Sequence, residues 1–180
     1  MTHEREMSRV LALDVGDRRI GVAISDPTRL LARGLKVIYR RKDGRDLATI
    51  AALLDEYEAG EIVIGYPRHL SGDVGEQARQ VEEYAEALAN YLAERRGPER
   101  PVRIIFWDER FSSVTAEEIL HGTGRRPREQ RRGDGSRRSI AMRRSVDAVA
   151  AAVILQDYLN AHLARRQASS AEAPPNAMSC

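Results

Sequence analysis

Three short apolar runs crowd the start of the chain: RVLALD at 9–14, RIGVAIS at 19–25 and GLKVIYR at 34–40. Each has strand length and falls short of a helix. Their connections constrain the fold most. Residues 15–18 join the first two runs and residues 26–33 the next pair, with Asp26-Pro27 closing the second run. A parallel pair needs a crossover of about a dozen residues or more, so connections this short suit an antiparallel meander.

From Asp46 the period changes. Leu47, Ile50, Leu54 and Tyr57 recur at helical spacing, and Gly60 reads as the stop. Ile62-Val63-Ile64 has the character of a buried strand, broken by Gly65-Tyr66-Pro67. After the loop RHLSGDVG, Val81, Tyr84, Ala85, Leu88 and Leu92 mark a long amphipathic helix that Gly97-Pro98 ends. VRIIFW at 102–107 is a further strand, followed by Asp108-Glu109-Arg110. A short helix is expected near 113–121, with Ser112 or Ser113 as N-cap. Residues 122–137 read as a mobile loop rich in Gly and Arg. A last helix is expected from about 139 or 145 to 164, with Val146, Val149, Ala150, Val153 and Ile154 on its apolar face.

The order βββαβαβαα implies a mixed α/β sheet, a three-strand meander followed by parallel strands, with helices on its faces. At 180 residues the chain suits one core. The expected division is an N-terminal extension at 1–8, a folded domain at 9–164, and a disordered tail at 165–180 that is poor in apolar residues.

Charge is unevenly placed. Residues 121–145 hold nine Arg against Glu129 and Asp134, so a chain of formal net charge +2 carries this segment on a mildly acidic body. Such clustering points to a polyanionic partner. Cys180 is the only cysteine, so no internal disulfide can form, and no apolar run reaches the length of a membrane span. MTHEREMSRV has no apolar core of a signal peptide. The cytoplasm is the expected compartment.

Acids stand at three places where a packed core seldom puts them. Asp14 ends one apolar strand, Asp108-Glu109 ends another, and Asp147 lies inside the apolar stripe of the last helix. An isolated buried carboxylate is costly and needs a cation, a cap or a metal. Carboxyl ends of strands are also where open α/β sheets bind ligands. Oxygen ligands alone favour Mg²⁺ or Mn²⁺, and such ions can drive phosphodiester hydrolysis. Each acid also has a plainer reading. Asp14 could cap the turn before Gly16, Glu109 could pair with Arg110, and Asp147 could be a first-turn acid of a late helix. Trp107 reads as core, and His69 as a surface loop residue.

Asp14-Val15-Gly16 with Arg19-Ile20-Gly21-Val22-Ala23, then Gly65-x-Pro67 with Gly72, then Asp108-Glu109-Arg110, then Val146-Asp147-x-x-Ala150-Ala151 with Ile154-Leu155-Gln156 form an ordered set. Over roughly residues 9–160 this set resembles the YqgF/RuvX family of Holliday-junction resolvases, also described as pre-16S rRNA nucleases. The resemblance implies an RNase H-like fold and a metal-binding acidic triad of Asp14, Glu109 and Asp147. It also implies a bacterial cytoplasmic endonuclease that matures the 5′ end of 16S rRNA, with junction resolution as the alternative. This chain departs from the family pattern at Asp17, where Thr is usual, at Ser112-Ser113 after Phe111, and at His69, where Asn is expected. Asp17 and Asp108 are both open as additional members of the site.

Candidate phosphate contacts are Arg110, Arg125, Arg126, Arg137, Arg138, Arg143 and Arg144. Arg110 could instead fix Glu109, and Arg143 and Arg144 could be a solvated helix end. Gly16 and Gly65 would let backbone approach a nucleic acid closely, or serve tight turns alone. The partner expected is structured RNA or branched DNA. Symmetric cutting of a four-way junction would call for a homodimer. Two other classes fit parts of the chain: an actin-like phosphotransferase, for which a second phosphate-binding hairpin is lacking, and a nucleic-acid-binding module without catalysis.

Overall fold

The computed structural model describes residues 8–67, 75–108 and 135–171, with side chains in the last stretch described for 147–165 and 167. The elements in chain order are β1 (Arg9–Val15), β2 (Arg19–Ser25), β3 (Ala32–Tyr39), α1 (Arg45–Glu56), β4 (Ala59–Tyr66), α2 (Glu76–Arg96), β5 (Arg103–Asp108) and α3 (Gly135–Ala171). The five strands form one sheet in the order β3-β2-β1-β4-β5. The first three strands pair antiparallel, while β4 lies parallel to β1 and β5 parallel to β4. This is the mixed, RNase H-like sheet of the sequence reading.

The centre of the sheet is β1, buried on both faces. Leu11, Leu13 and Val15 join Ile20, Val22, Ile62 and Ile64 in a core covered by α1 and α2. The alternate residues Val10 and Ala12 join Ala23, Val63, Ala151, Leu155 and Leu159 under α3. Large aliphatics fill the first face and small residues dominate β1 and β2 on the second. A helix can therefore lie closer to the sheet on the second face.

Three local expectations are corrected. Gly60 lies inside β4 and does not stop α1. That helix ends at Glu56, and the chain reverses through Glu58, whose φ of 52° is left-handed. The face of α3 is also turned in part from the expected one, with Val153 and Ile154 buried as expected. Ala151, Ile154, Leu155, Tyr158 and Leu159 pack on the sheet, and Val149 is 46% exposed. VDAVAAAVIL at 146–155 is apolar nearly all round, so its period does not single out one face. Finally, α3 starts before and ends after the expected bounds, taking in residues 135–137 of the expected loop and 165–171 of the expected tail. Gln167, Ala168 and Ala171 tolerate a helix, and no proline intervenes before Pro174. The short helix expected at 113–121 and the rest of the loop, 122–134, lie outside the described residues.

One polar cluster lies under α3, at the start of β4. Glu61 is buried and paired with Arg103, and the Tyr158 hydroxyl donates to its Oε1 at 2.5 Å. Arg29 Nη1 stands 3.9 Å from the same carboxylate. Tyr158 also packs edge-on against Trp107, which is partly buried against the core.

Candidate active site

Asp14 is the penultimate residue of β1 and continues the row Val10, Ala12 that faces α3. Its partner across the antiparallel pair is Gly21 of β2. A Cβ on Gly21 would lie 2.0 Å from the carbonyl oxygen of Asp147, a separation that real side chains do not reach. One strand further out, a Cβ on Gly34 would lie 2.9 Å from the Ala148 carbonyl oxygen. The two glycines form a seat on which the backbone of α3 rests directly. That contact carries Asp147 to the end of β1 where Asp14 stands.

Asp147 lies about three turns into α3. A first-turn role, in which the helix dipole would stabilise it, is therefore excluded. Its Oδ2 is buried and accepts no hydrogen bond from a described residue, and Nη1 of Arg19 lies 3.3 Å from it. Burial first, and then the charge of Asp147, hold the Asp14 carboxyl above the usual carboxylate range. Two acids on adjacent elements thus share one half-buried place, with one arginine for partial compensation. This is the electrostatic condition in which a hard cation, accepting oxygen ligands, offsets repulsion and desolvation together. The residues present fit such an ion. Among the described residues, no group of three His, Cys, Asp or Glu comes together. Glu109, the third acid of the expected triad, lies outside them.

The other expected residues fall as follows. Arg110, Arg125 and Arg126 lie outside the described residues, as do His69 and Gly72. Arg137, Arg138, Arg143 and Arg144 are on the first half of α3. Gly16 serves a tight turn, its N–H donating to the Arg19 carbonyl at 2.9 Å. Asp17 is exposed and lines a cavity on the α1/α2 side. Asp108 lies opposite Tyr66, and strand alternation from the α3-packed Trp107 turns it to the other face from Asp14.

Arg19, Gly21 and Gly34 were not singled out for a part in bringing the acids together. The available signal was a glycine inside each of two strand-like runs, which marks close approach of another backbone. Which backbone approaches is a tertiary fact.

A five-stranded mixed sheet in the order β3-β2-β1-β4-β5, with a carboxylate near the end of its central strand and a second on the helix packed over it, is an RNase H-like arrangement. The sequence comparisons then give the family. Residues 8–161 match the family described as RuvX, Holliday junction resolvase, and the chain belongs to it. A relative from Carboxydothermus hydrogenoformans is 40% identical over 152 residues, covering 84% of this chain and 96% of its own, and is named "Putative pre-16S rRNA nuclease". A relative from Mycobacterium tuberculosis with the same name is 39% identical over 162 residues, 90% of this chain and 84% of its own. Among solved structures, Thermus thermophilus RuvC in complex with a Holliday junction substrate aligns over 87% of this chain and 96% of its own, at 17% identity and a TM-score of 0.47. The yeast mitochondrial Holliday junction resolvase aligns over 92% and 84%, at 13% identity and a TM-score of 0.47. Among the described residues no helix is long and apolar enough to cross a membrane.

Proposed function

We propose that this chain is a divalent-metal-dependent endonuclease that hydrolyses phosphodiester bonds in structured nucleic acid, with the 5′ end of pre-16S rRNA as its substrate. The observation that carries this reading is the close approach of Asp14 and Asp147 across the Gly21 seat. Two carboxylates brought together at the cost of repulsion and desolvation are explained by a cation that binds both. Glu109 completes the proposed set.

In this reading Asp14, Glu109 and Asp147 hold Mg²⁺ or Mn²⁺. Bound there, the ions supply the Lewis acidity for attack of water on phosphorus and for departure of the bridging oxygen. Arg19 holds the Asp147 carboxylate in place. Arg110, Arg125, Arg126, Arg137, Arg138, Arg143 and Arg144 are assigned to the phosphates of the substrate. The relatives' name favours RNA, and the family description favours a four-way DNA junction as the second reading. A junction would need two sites related by symmetry, hence a homodimer.

The test offers a pre-16S rRNA 5′ fragment and a synthetic four-way DNA junction to the wild type and to Asp14→Asn, with Mg²⁺ or Mn²⁺. Cutting of the rRNA fragment by the wild type alone is expected. Preferential cutting of the junction would establish the second reading. Binding without cutting of either would leave a non-catalytic module.

A further inference from the structure

Two arginine–carboxylate pairs lie on the α3 face of the sheet, and they are built differently. At one end, Nε and Nη2 of Arg103 both donate to Oε2 of Glu61, and the Tyr158 hydroxyl donates to Oε1. The Glu61 side chain is 2% exposed, so this carboxylate is sealed and hydrogen-bonded on both oxygens. At the acidic end, Arg19 meets Asp147 through Nη1 alone, 3.3 Å from Oδ2 and without the geometry of a hydrogen bond. The two side chains there are 34% and 26% exposed. The first pair is a fixture of the fold. The second is loose and partly open to water, and an ion pair of that kind is worth little.

Asp147 nevertheless depends on it. Its Oδ2 is shut off from solvent, accepts no hydrogen bond from a described residue, and has the charge of Asp14 nearby. Among the described residues, Arg19 is the cation paired with either acid. A buried carboxylate oxygen served by one loose cation is poised to exchange it for a better ligand.

The backbone fixes where Arg19 can reach. It opens β2 in the row of Gly21 and Ala23 that faces α3, two positions from the glycine opposite Asp14. Its neighbour Arg18 carries the same charge but lines a cavity of about 850 Å³ on the α1/α2 side, together with Arg40, Arg41 and Lys42. Oxygen ligands of one Mg²⁺ stand about 2.1 Å from it, hence no more than about 4 Å from one another. A phosphate oxygen that shared an ion with Asp147 would come within that distance of Oδ2. Nη1 of Arg19 is in the same neighbourhood.

We infer that Arg19 is an exchangeable partner of Asp147. It holds the carboxylate in the metal-free chain, gives it up to a divalent cation, and turns to a non-bridging oxygen of the phosphate that is cut. In the hydrolysis, water adds to phosphorus and yields its proton to solvent. The bridging oxygen leaves with the electrons of its bond and takes up a proton. Arg19 transfers no proton and stabilises the negative charge on the phosphate oxygens during the exchange. The inference rests on the nuclease reading and adds a catalytic residue to it.

The full chain is titrated with MgCl₂ in the absence of nucleic acid, by calorimetry and by the rise in Tm. Wild type, Arg19→Met, Arg19→Gln, Arg19→Lys and Arg18→Met are compared, and the Tm in EDTA verifies each fold. Both neutral variants at position 19 should bind Mg²⁺ about two- to fivefold tighter, because no arginine has to be displaced. Arg19→Lys should stay within about twofold of wild type. So should Arg18→Met, which removes an equal charge from the adjacent position and reports any long-range effect. At saturating Mg²⁺, on the substrate that the wild type cuts, kcat of the neutral variants should fall about a hundredfold with KM little changed. Arg19→Lys should recover part of that loss. Weaker or unchanged Mg²⁺ binding in the neutral variants, or equal tightening in Arg18→Met, would overturn the exchange. Wild-type kcat in the neutral variants would overturn the phosphate contact. Each of these outcomes leaves the nuclease reading in place, whereas a wild type that neither binds Mg²⁺ nor cuts would sink both.

Discussion

Asp14 stands where two costs meet, removal from water and the charge of Asp147, and both raise its pKa. Between the ordinary aspartate value and the raised one, the folded chain keeps a proton that the unfolded chain has released. Metal-free stability therefore falls as pH rises through that window and stays lower above it. Asp14→Asn should accordingly show a higher Tm than the wild type at neutral pH in EDTA, while abolishing cleavage. Mg²⁺ should raise the Tm of the wild type and not of the variant. A variant less stable than wild type in EDTA would remove the electrostatic argument for the site. Gly21 is the steric counterpart. A methyl there meets the Asp147 carbonyl, so Gly21→Ala must push α3 and its carboxylate outward. The expected cost is about 1–3 kcal/mol of stability, or about 2–4 °C of Tm for each, from overpacking. A misplacement of about 1 Å costs on the order of a hundredfold in rate. Cleavage at wild-type rate in a folded Gly21→Ala protein would show that the seat does not position Asp147.

At the scale of elements, the two faces of the sheet divide the work. The α1/α2 face is a plain aliphatic core, and its helices were legible because Val81, Tyr84, Ala85, Leu88 and Leu92 keep a strict period beside charged positions. The α3 face carries polar groups at both ends, Asp14 at one and Glu61 at the other. Glu61 is held by Arg103 and Tyr158, with no part in the proposed chemistry. Glu61→Gln should destabilise the chain by about 1–2 kcal/mol, since it weakens buried charge-assisted hydrogen bonds while the arginine left behind is largely exposed and solvated. Below its lowered Tm, kcat and KM should match the wild type. A loss of kcat without a loss of Tm would tie Glu61 to the active end. The orientation of α3 was not legible from sequence, because a helix with alanines and valines on every side can dock by several faces. The glycines of β2 and β3 decide which face docks.

For the molecule as a whole, the strand order puts the end of β1 at the middle of the sheet, flanked by β2 on one side and β4 on the other. The proposed site and the cation-lined cavity both lie near this end, on opposite faces of the sheet. On the rRNA reading one active site makes one cut. Initial rate should then rise in direct proportion to enzyme concentration, with a monomer in sedimentation. A rate rising with the square of concentration, with two chains per substrate, would favour the junction.

The sequence by itself determined the order of the strands and of the described helices, the antiparallel start and parallel finish of the sheet, and the family. Connection lengths and periodicity are local properties, and the family motifs stand in order along the chain. It also marked Asp14 and Asp147 as acids out of place, since burying a carboxylate is costly wherever it occurs. Only the tertiary structure decided that these two acids meet, that Arg19 pairs with one of them, and that Gly21 and Gly34 leave room for the helix. It alone gathered Arg18 and the end of β3 around one cavity. Such contacts join residues more than a hundred positions apart in one case and about twenty in the other. Their distance depends on how a helix seats on a sheet, which no local period encodes.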